Sequence, residues 1–197
     1  LLRSRLRASS ISEKDLRLRA SRWFEANDLP SEAIQQALAG EDWPRAIALL
    51  RQVTAGMLKS GEAATLVRWY GALPGDLLRS DAWLCFEYAW PLLLVGEYQT
   101  AAPLLEIAER GAAFNPAFLG EVYSAQAFLA RGAGDHARML ERSQRAMGLL
   151  PESALHSRTL VAINLGLAYW HMGRMADAVQ ALNEALHAGR ATGNHYA

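Results

Sequence analysis

Apolar residues recur along the chain at the three- to four-residue spacing of amphipathic helices. Leucine- and alanine-rich stretches carry this period almost throughout, and Val, Ile and Thr form no alternating runs of the kind that a half-buried strand requires. The pattern therefore predicts an all-α protein with no sheet.

Short turn signals interrupt these stretches at a nearly constant interval. The turn residues are Asp28, Gly61, Gly96, Gly134 and Gly173. The interval is 33 residues from Asp28 to Gly61 and lengthens to 39 from Gly134 to Gly173. These values straddle the period of a helix-turn-helix repeat of about 34 residues. The chain is therefore expected to be a repeat array.

The residue types at the turns have a local physical reason. A helix that ends and is followed at once by an antiparallel helix needs a residue that tolerates a positive φ, which glycine does best and Asp28 less well. We expect five antiparallel helix pairs followed by a truncated next repeat. Their expected bounds are about residues 15–39, 43–72, 81–112, 116–149 and 153–190.

Capping residues and prolines refine these helices. Asp42, Asn115 and Ser60 each precede a proline or an acid and are predicted to mark helix starts. Pro103 is expected in a first helical turn, where its missing N–H matters little. Pro91 falls inside an apolar helical stretch and predicts a kink or a break.

The last pair resembles a known repeat family. Residues 164–186 closely resemble the tetratricopeptide signature. The matching residues are Leu165, Gly166, Tyr169, Gly173, Ala178, Leu182 and Ala185. This resemblance implies a tetratricopeptide-like α-α superhelix, a solenoid of about five pairs, over residues 15–197.

A more specific resemblance lies in three other stretches. Residues 19–43, 65–74 and 80–85 resemble the first repeats of MalT-like, LuxR-family ATP-dependent transcriptional activators. The segment 1–14 is similar to the tail of a preceding winged-helix module or a linker, so we expect a fragment of a longer protein. The resemblance implies a signal-sensing, protein-interaction domain that binds a small-molecule inducer or regulatory protein. It would couple that signal to ATP-dependent self-association and transcription activation.

Charge and motifs decide which partners this segment is expected to have. Lys plus Arg and Asp plus Glu both number 20, so no net field draws the chain to DNA or anionic lipid. A phosphate-binding Gly-rich loop and a DNA-reading helix-turn-helix are not evident in the sequence. We therefore expect no cofactor here, with ATP bound only in an upstream module, and no direct contact with DNA or membrane. The alternative function is a generic tetratricopeptide scaffold that binds a partner protein or peptide.

Residues with catalytic or metal chemistry form no convincing constellation. The five histidines never fall at i and i+4 on one helix face, which disfavours a helix-borne metal pair, and no Gly-x-Ser-x-Gly elbow occurs. Cys85 lies in an apolar stretch and is expected to be an inert core thiol. We expect a cytoplasmic protein that is not an enzyme and has no catalytic, cofactor or metal residues.

The resemblance also nominates a ligand surface. In tetratricopeptide arrays the first helix of each pair lines the concave surface, and its positions can be transferred to this chain. The candidate ligand or partner contacts are Trp83, Phe86, Trp90, Glu121, Ser124, Phe128, Arg131, Leu167, Trp170 and His171. Flat rings suit stacking on a sugar or an apolar organic ligand. The alternative is that these side chains are simply core.

Overall fold

The computed structural model describes residues 12–191, with side chains as far as residue 186. The expected winged-helix tail falls mostly at residues 1–11, and the truncated repeat partly at residues 192–197, both outside the described residues. Within residues 12–191 there are eleven helices and no strand. The chain divides into two compact units, the first ending at Leu78 and the second beginning at Arg79.

The first unit contains two helix pairs. They are α1 (Glu13–Ala26), α2 (Pro30–Ala39), α3 (Trp43–Lys59) and α4 (Ala63–Tyr70). Helix α2 packs on α1, α3 and α4, and its Ile34 is fully buried together with Leu50, Leu66 and Tyr70. A short helix that the sequence did not predict, α5 (Gly75–Ser80), crosses the boundary between the units.

The second unit contains three helix pairs. They are α6 (Ala82–Leu94) with α7 (Tyr98–Gly111), α8 (Pro116–Gly132) with α9 (His136–Leu149), and α10 (Leu155–His171) with α11 (Met175–Ala191). The first helices of these pairs also pack side by side, α6 on α8 and α8 on α10. We call α6, α8 and α10 the first-helix row. None of the helices in the described range has the length and apolarity that a bilayer crossing requires.

Each of the five pairs reverses at a residue with a left-handed backbone. The φ angle is 57° at Asp28, 80° at Gly61, 84° at Gly96, 71° at Gly134 and 75° at Gly173. At each reversal the following amide donates to a carbonyl five residues back, as Glu62 N does to Met57 O at 2.8 Å. This hydrogen bond closes the first helix and turns the chain into the second. The five predicted turn positions are confirmed.

A sixth turn of the same kind was not predicted. Glu41, between α2 and α3, has a φ of 55°, and the amide of Asp42 donates to Ala37 O at 2.9 Å. Glutamate has a Cβ that disfavours this conformation, so the sequence carried no signal for it.

The helix ends and the prolines correct three of the smaller predictions. The side chains of Asp42 and Asn115 cap α3 and α8 as expected, but Ser60 is the C-cap of α3 and leaves α4 without a side-chain cap. Helix α6 is continuous through Pro91, so the predicted break does not occur. Pro103 lies in the second turn of α7 rather than the first, because that helix begins at Tyr98.

A polar bridge joins the second unit's first two pairs. Glu109 of α7 accepts hydrogen bonds from Gln126 Nε2 of α8 at 2.8 Å and from Arg142 Nη1 of α9 at 3.0 Å. Burial acts to raise the pKa of Glu109, but the bonds from Gln126 and Arg142 outweigh it and the pKa is lowered. Glu109 therefore stays ionised and binds its two neighbours together.

Replacing Asp28 by glycine is expected to stabilise the first unit. Glycine adopts the left-handed φ without a steric penalty, and this gain exceeds its larger loss of backbone entropy. We expect Asp28→Gly to raise the free energy of unfolding by about 0.5 kcal/mol. The matched control Asp28→Ala should lower it, because alanine lacks the tolerance of aspartate for this region. Urea unfolding followed by circular dichroism measures both; a more stable alanine variant would contradict the turn assignment.

Candidate functional site

One side of α6 carries a strip of aromatic rings. Trp83, Phe86 and Trp90 follow one another at spacings of three and four residues, which places them on one helix face. The ring centroids of Trp83 and Phe86 are 5.7 Å apart, and those of Phe86 and Trp90 are 6.4 Å apart. The strip is therefore continuous along the helix.

Two rings of α8 extend this strip across the first-helix row. The Phe118 ring lies 4.4 Å from that of Trp83 and 5.5 Å from that of Phe86, and the Phe128 ring lies 5.8 Å from that of Trp90. The sequence did not nominate Phe118. Phe118 lies three residues before the nominated Glu121, and residues at this spacing share a helix face. This spacing could have identified Phe118 from the sequence.

Exposure separates the aromatic residues into surface and core. Trp83 is 42% exposed, and Trp90 and Phe128 are half-buried. Phe86 and Phe118 are each only 7% exposed and lie beneath them. Trp83, Trp90 and Phe128 therefore offer ring surface to a ligand, whereas Phe86 and Phe118 support them from below.

Arg131 extends the Phe128 end of the strip. Its guanidinium carbon lies 4.1 Å above the centre of the Phe128 ring, and its Nη1 donates to Asn164 Oδ1 of α10 at 3.2 Å. Asn164 is only 2% exposed, so the packing around it holds the acceptor oxygen in place. Burial lowers the pKa of the Arg131 guanidinium. Among residues 12–186, no carboxylate forms an ion pair with it.

Glu121 stands toward the other end of α8. The Ser157 hydroxyl of α10 lies 2.7 Å from each of its carboxylate oxygens and donates its one proton to this carboxylate. Burial raises the pKa of Glu121, and the bond from Ser157 and the charge of His156 only partly oppose this effect. Ser124, one turn further along α8, is 1% exposed, and its Oγ has no hydrogen-bond partner among the described residues.

The nominated residues of α10 have three different environments. Leu167 is half-buried and packs against the core formed by Ala130, Met139 and Ala168. Trp170 is 54% exposed and offers its ring to solvent. His171 is also exposed, and its ring centroid lies 5.0 Å from that of Trp170.

His171 has a partner that spacing along one helix did not reveal. The His136 ring at the start of α9 stacks on it, with centroids 3.9 Å apart and planes inclined by 8°. The two residues lie on different helices, so the search for i and i+4 pairs missed them. No group of three potential metal ligands occurs among the residues that the structure describes.

The arrangement of these groups suits binding. Trp83, Phe86, Trp90, Phe128 and Arg131 form one continuous set of contacts across α6 and α8, and Arg131 joins it to α10 through its hydrogen bond to Asn164. Glu121 bonds separately to Ser157 of α10. Apolar ring surface with a few placed polar groups is typical of ligand and partner sites.

The thiol of Cys85 lies beneath this surface rather than on it. Cys85 is fully buried in α6. Burial, with a smaller contribution from Asp81, raises the pKa of the Cys85 thiol to about 11. It is therefore protonated near neutral pH.

Comparison with known proteins identifies the fold. No protein-family model and no curated protein matches the chain. A crystal structure of the MamA protein matches with a TM-score of 0.62 at 14% identity, covering 93% of this chain and 96% of that one. MamA 41-end from Desulfovibrio magneticus RS-1 matches with a TM-score of 0.61 at 17% identity, covering 92% and 98%. MamA has a tetratricopeptide fold, so the predicted all-α, tetratricopeptide-like class of stacked helix pairs is confirmed.

The raised pKa of Glu121 predicts a pH-dependent stability difference. A carboxyl whose folded-state pKa is raised lowers the stability of the fold as pH rises from the ordinary pKa to the raised one, because over that range the unfolded state releases its proton more readily. Glu121→Gln should therefore be more stable than the wild type near neutral pH. The difference should vanish below the ordinary pKa of 4.5. Urea unfolding of both proteins across this range measures it; a glutamine variant that is less stable at neutral pH would contradict the burial argument.

Proposed function

We propose that this chain is a tetratricopeptide-type scaffold that binds a segment of a partner protein across the first-helix row of its second unit. The observation that carries the proposal is the accessible set of Trp83, Trp90 and Phe128, which contact one another or shared rings across α6 and α8. Tryptophan and other large side chains on a rigid support are the residues that most often dominate partner binding. The proposed role is therefore the binding of a partner.

The support beneath these rings favours a pre-organised surface. Phe118 contacts both Trp83 and Phe86, so the exposed ring of Trp83 packs against core side chains on its inner side. A side chain held in place before binding loses little conformational entropy on association. An amphipathic helix or extended peptide is the kind of segment that such a surface receives.

Peptides selected for binding test this proposal. A random linear peptide library displayed on phage is selected on the whole chain, and the dissociation constants of the selected peptides are measured by fluorescence anisotropy. Trp83→Ala and Phe128→Ala should each weaken binding by about tenfold or more, as truncated interface anchors do. Phe114→Ala is the matched control, because Phe114 is 100% exposed in the loop between α7 and α8 and should not matter.

Thermal unfolding of each variant establishes that the fold persists. Peptides that bind all the folded variants equally, or the absence of any selected peptide, would contradict a scaffold built on this surface.

A second candidate function rests on the sequence. The resemblance of residues 19–43, 65–74 and 80–85 to MalT-like regulators supports a signal-sensing domain that receives a small-molecule inducer or regulatory protein. Modules outside this chain would then supply ATP-dependent self-association and transcription activation, in the cytoplasm. The flat rings of Trp83 and Trp170 support the inducer form, since both are exposed and rings of this kind stack on sugars.

Thermal-shift screening tests the inducer form of this second candidate. The whole chain is screened against sugars, aromatic acids and nucleotides. A ligand at about 100 times its dissociation constant stabilises the folded state by roughly 2.7 kcal/mol. Trp83→Ala should abolish the shift of any such ligand. If no compound in these classes shifts the melting temperature, the inducer form is rejected.

A further inference from the structure

Three half-buried arginines of the second unit differ in how their charge is satisfied. Arg142 pairs with Glu109, and Arg158 donates to the backbone carbonyls of Met147 and Leu150 at the end of α9. Arg131 donates to a single neutral acceptor, the amide oxygen of Asn164. Among the half-buried arginines between residues 79 and 186, Arg131 alone has neither a carboxylate partner nor two carbonyl acceptors.

The unused hydrogen-bonding capacity of Arg131 is accessible. A guanidinium has five N–H donors, and the contact with Asn164 uses one of them. No other nitrogen of Arg131 is both buried and without a partner, so the remaining donors lie within reach of solvent or a ligand. Phe128 covers one face of the group and leaves its edge for a planar, bidentate acceptor such as a carboxylate.

Glu121 has the opposite charge and a similar environment. It is half-buried, and its hydrogen-bond partner among the described residues is the neutral Ser157 hydroxyl. Glu121 and Arg131 are ten residues apart on α8, which corresponds to about 15 Å along the axis. Both bond to α10, so they lie on the same side of α8 with Ser124 and Phe128 between them in sequence.

We infer that the partner segment bound in the proposed function carries a carboxylate that pairs with Arg131 and, about 15 Å away, a basic group that pairs with Glu121, with apolar side chains between them. An extended segment spans this distance with about four to five residues. The two charges therefore fix the direction in which the segment lies along α8. This inference rests on the proposed function and adds the chemistry of the partner.

Selections against charge variants test the inference. The random peptide library is selected in parallel on the whole wild-type chain, on Arg131→Met, on Glu121→Gln and on Arg110→Ala. The wild-type pool should favour one acidic and one basic position at a fixed separation. Peptides selected on Arg131→Met, which keeps alkyl packing over Phe128, should lose only the acidic preference. Peptides selected on Glu121→Gln should lose only the basic preference. Arg110 is exposed on α7 and off the first-helix row, so its variant should keep both preferences.

A double-mutant cycle then assigns the contact. Replacing the acidic residue of the best peptide by its amide should weaken binding to the wild type by about tenfold, as loss of a desolvated charge pair does. The same replacement should leave binding to Arg131→Met unchanged. Circular dichroism of each variant verifies the fold, and Arg131→Gln, which also removes the charge, is the second variant if the methionine protein fails to fold.

These measurements distinguish failure of the charge inference from failure of the scaffold function. Selected peptides that depend on Trp83 and Phe128 but show no charge preference, or a cycle with no coupling to Arg131, would overturn the inference and leave the scaffold function intact. Peptides that do not depend on Trp83 and Phe128 would overturn the scaffold function itself.

Discussion

The architecture depends on one backbone constraint, the left-handed residue that follows the first helix of every pair. With this residue in place, the next amide reaches a carbonyl five residues back, and the second helix starts at once in the opposite direction. The first helices can then stand beside one another, as α6, α8 and α10 do. The aromatic surface exists because α6 and α8 are neighbours. Its rings come from positions that are remote in sequence and adjacent in space.

The sequence predicted those parts of the fold that are governed by local chemistry. Four glycines and Asp28 predicted the five chain reversals, because few other residues accept a positive φ. Glu41 adopts the same conformation, but glutamate disfavours a positive φ and so gave no signal in the sequence. Helix α5 was missed because it is six residues long and begins with Gly75, directly after a proline, where a turn is the usual outcome.

The candidate site was less predictable because spacing gives the direction of a side chain but not what covers it. Trp83 and Phe86 lie on the same face of α6, yet one is 42% and the other 7% exposed. Phe118 from the next pair contacts both rings, and this packing cannot be read from the spacing of residues within α6. The stacked rings of His136 and His171 make the same point, since they meet only after α9 and α10 have packed.

The bridge centred on Glu109 has a consequence for how the array assembles. Leucine and alanine faces are nearly interchangeable, so apolar packing alone would allow one helix pair to associate with the wrong neighbour, in the same molecule or in another. Arg142 of α9 meets the Glu109 carboxylate only when its pair follows α7, and a wrong neighbour would leave these two half-buried charges without their ion pair. The ion pair with Glu109 thus favours the correct neighbour over other, similar helix pairs. Polar complementarity at this one place therefore favours the correct order of the repeats, where apolar packing discriminates little.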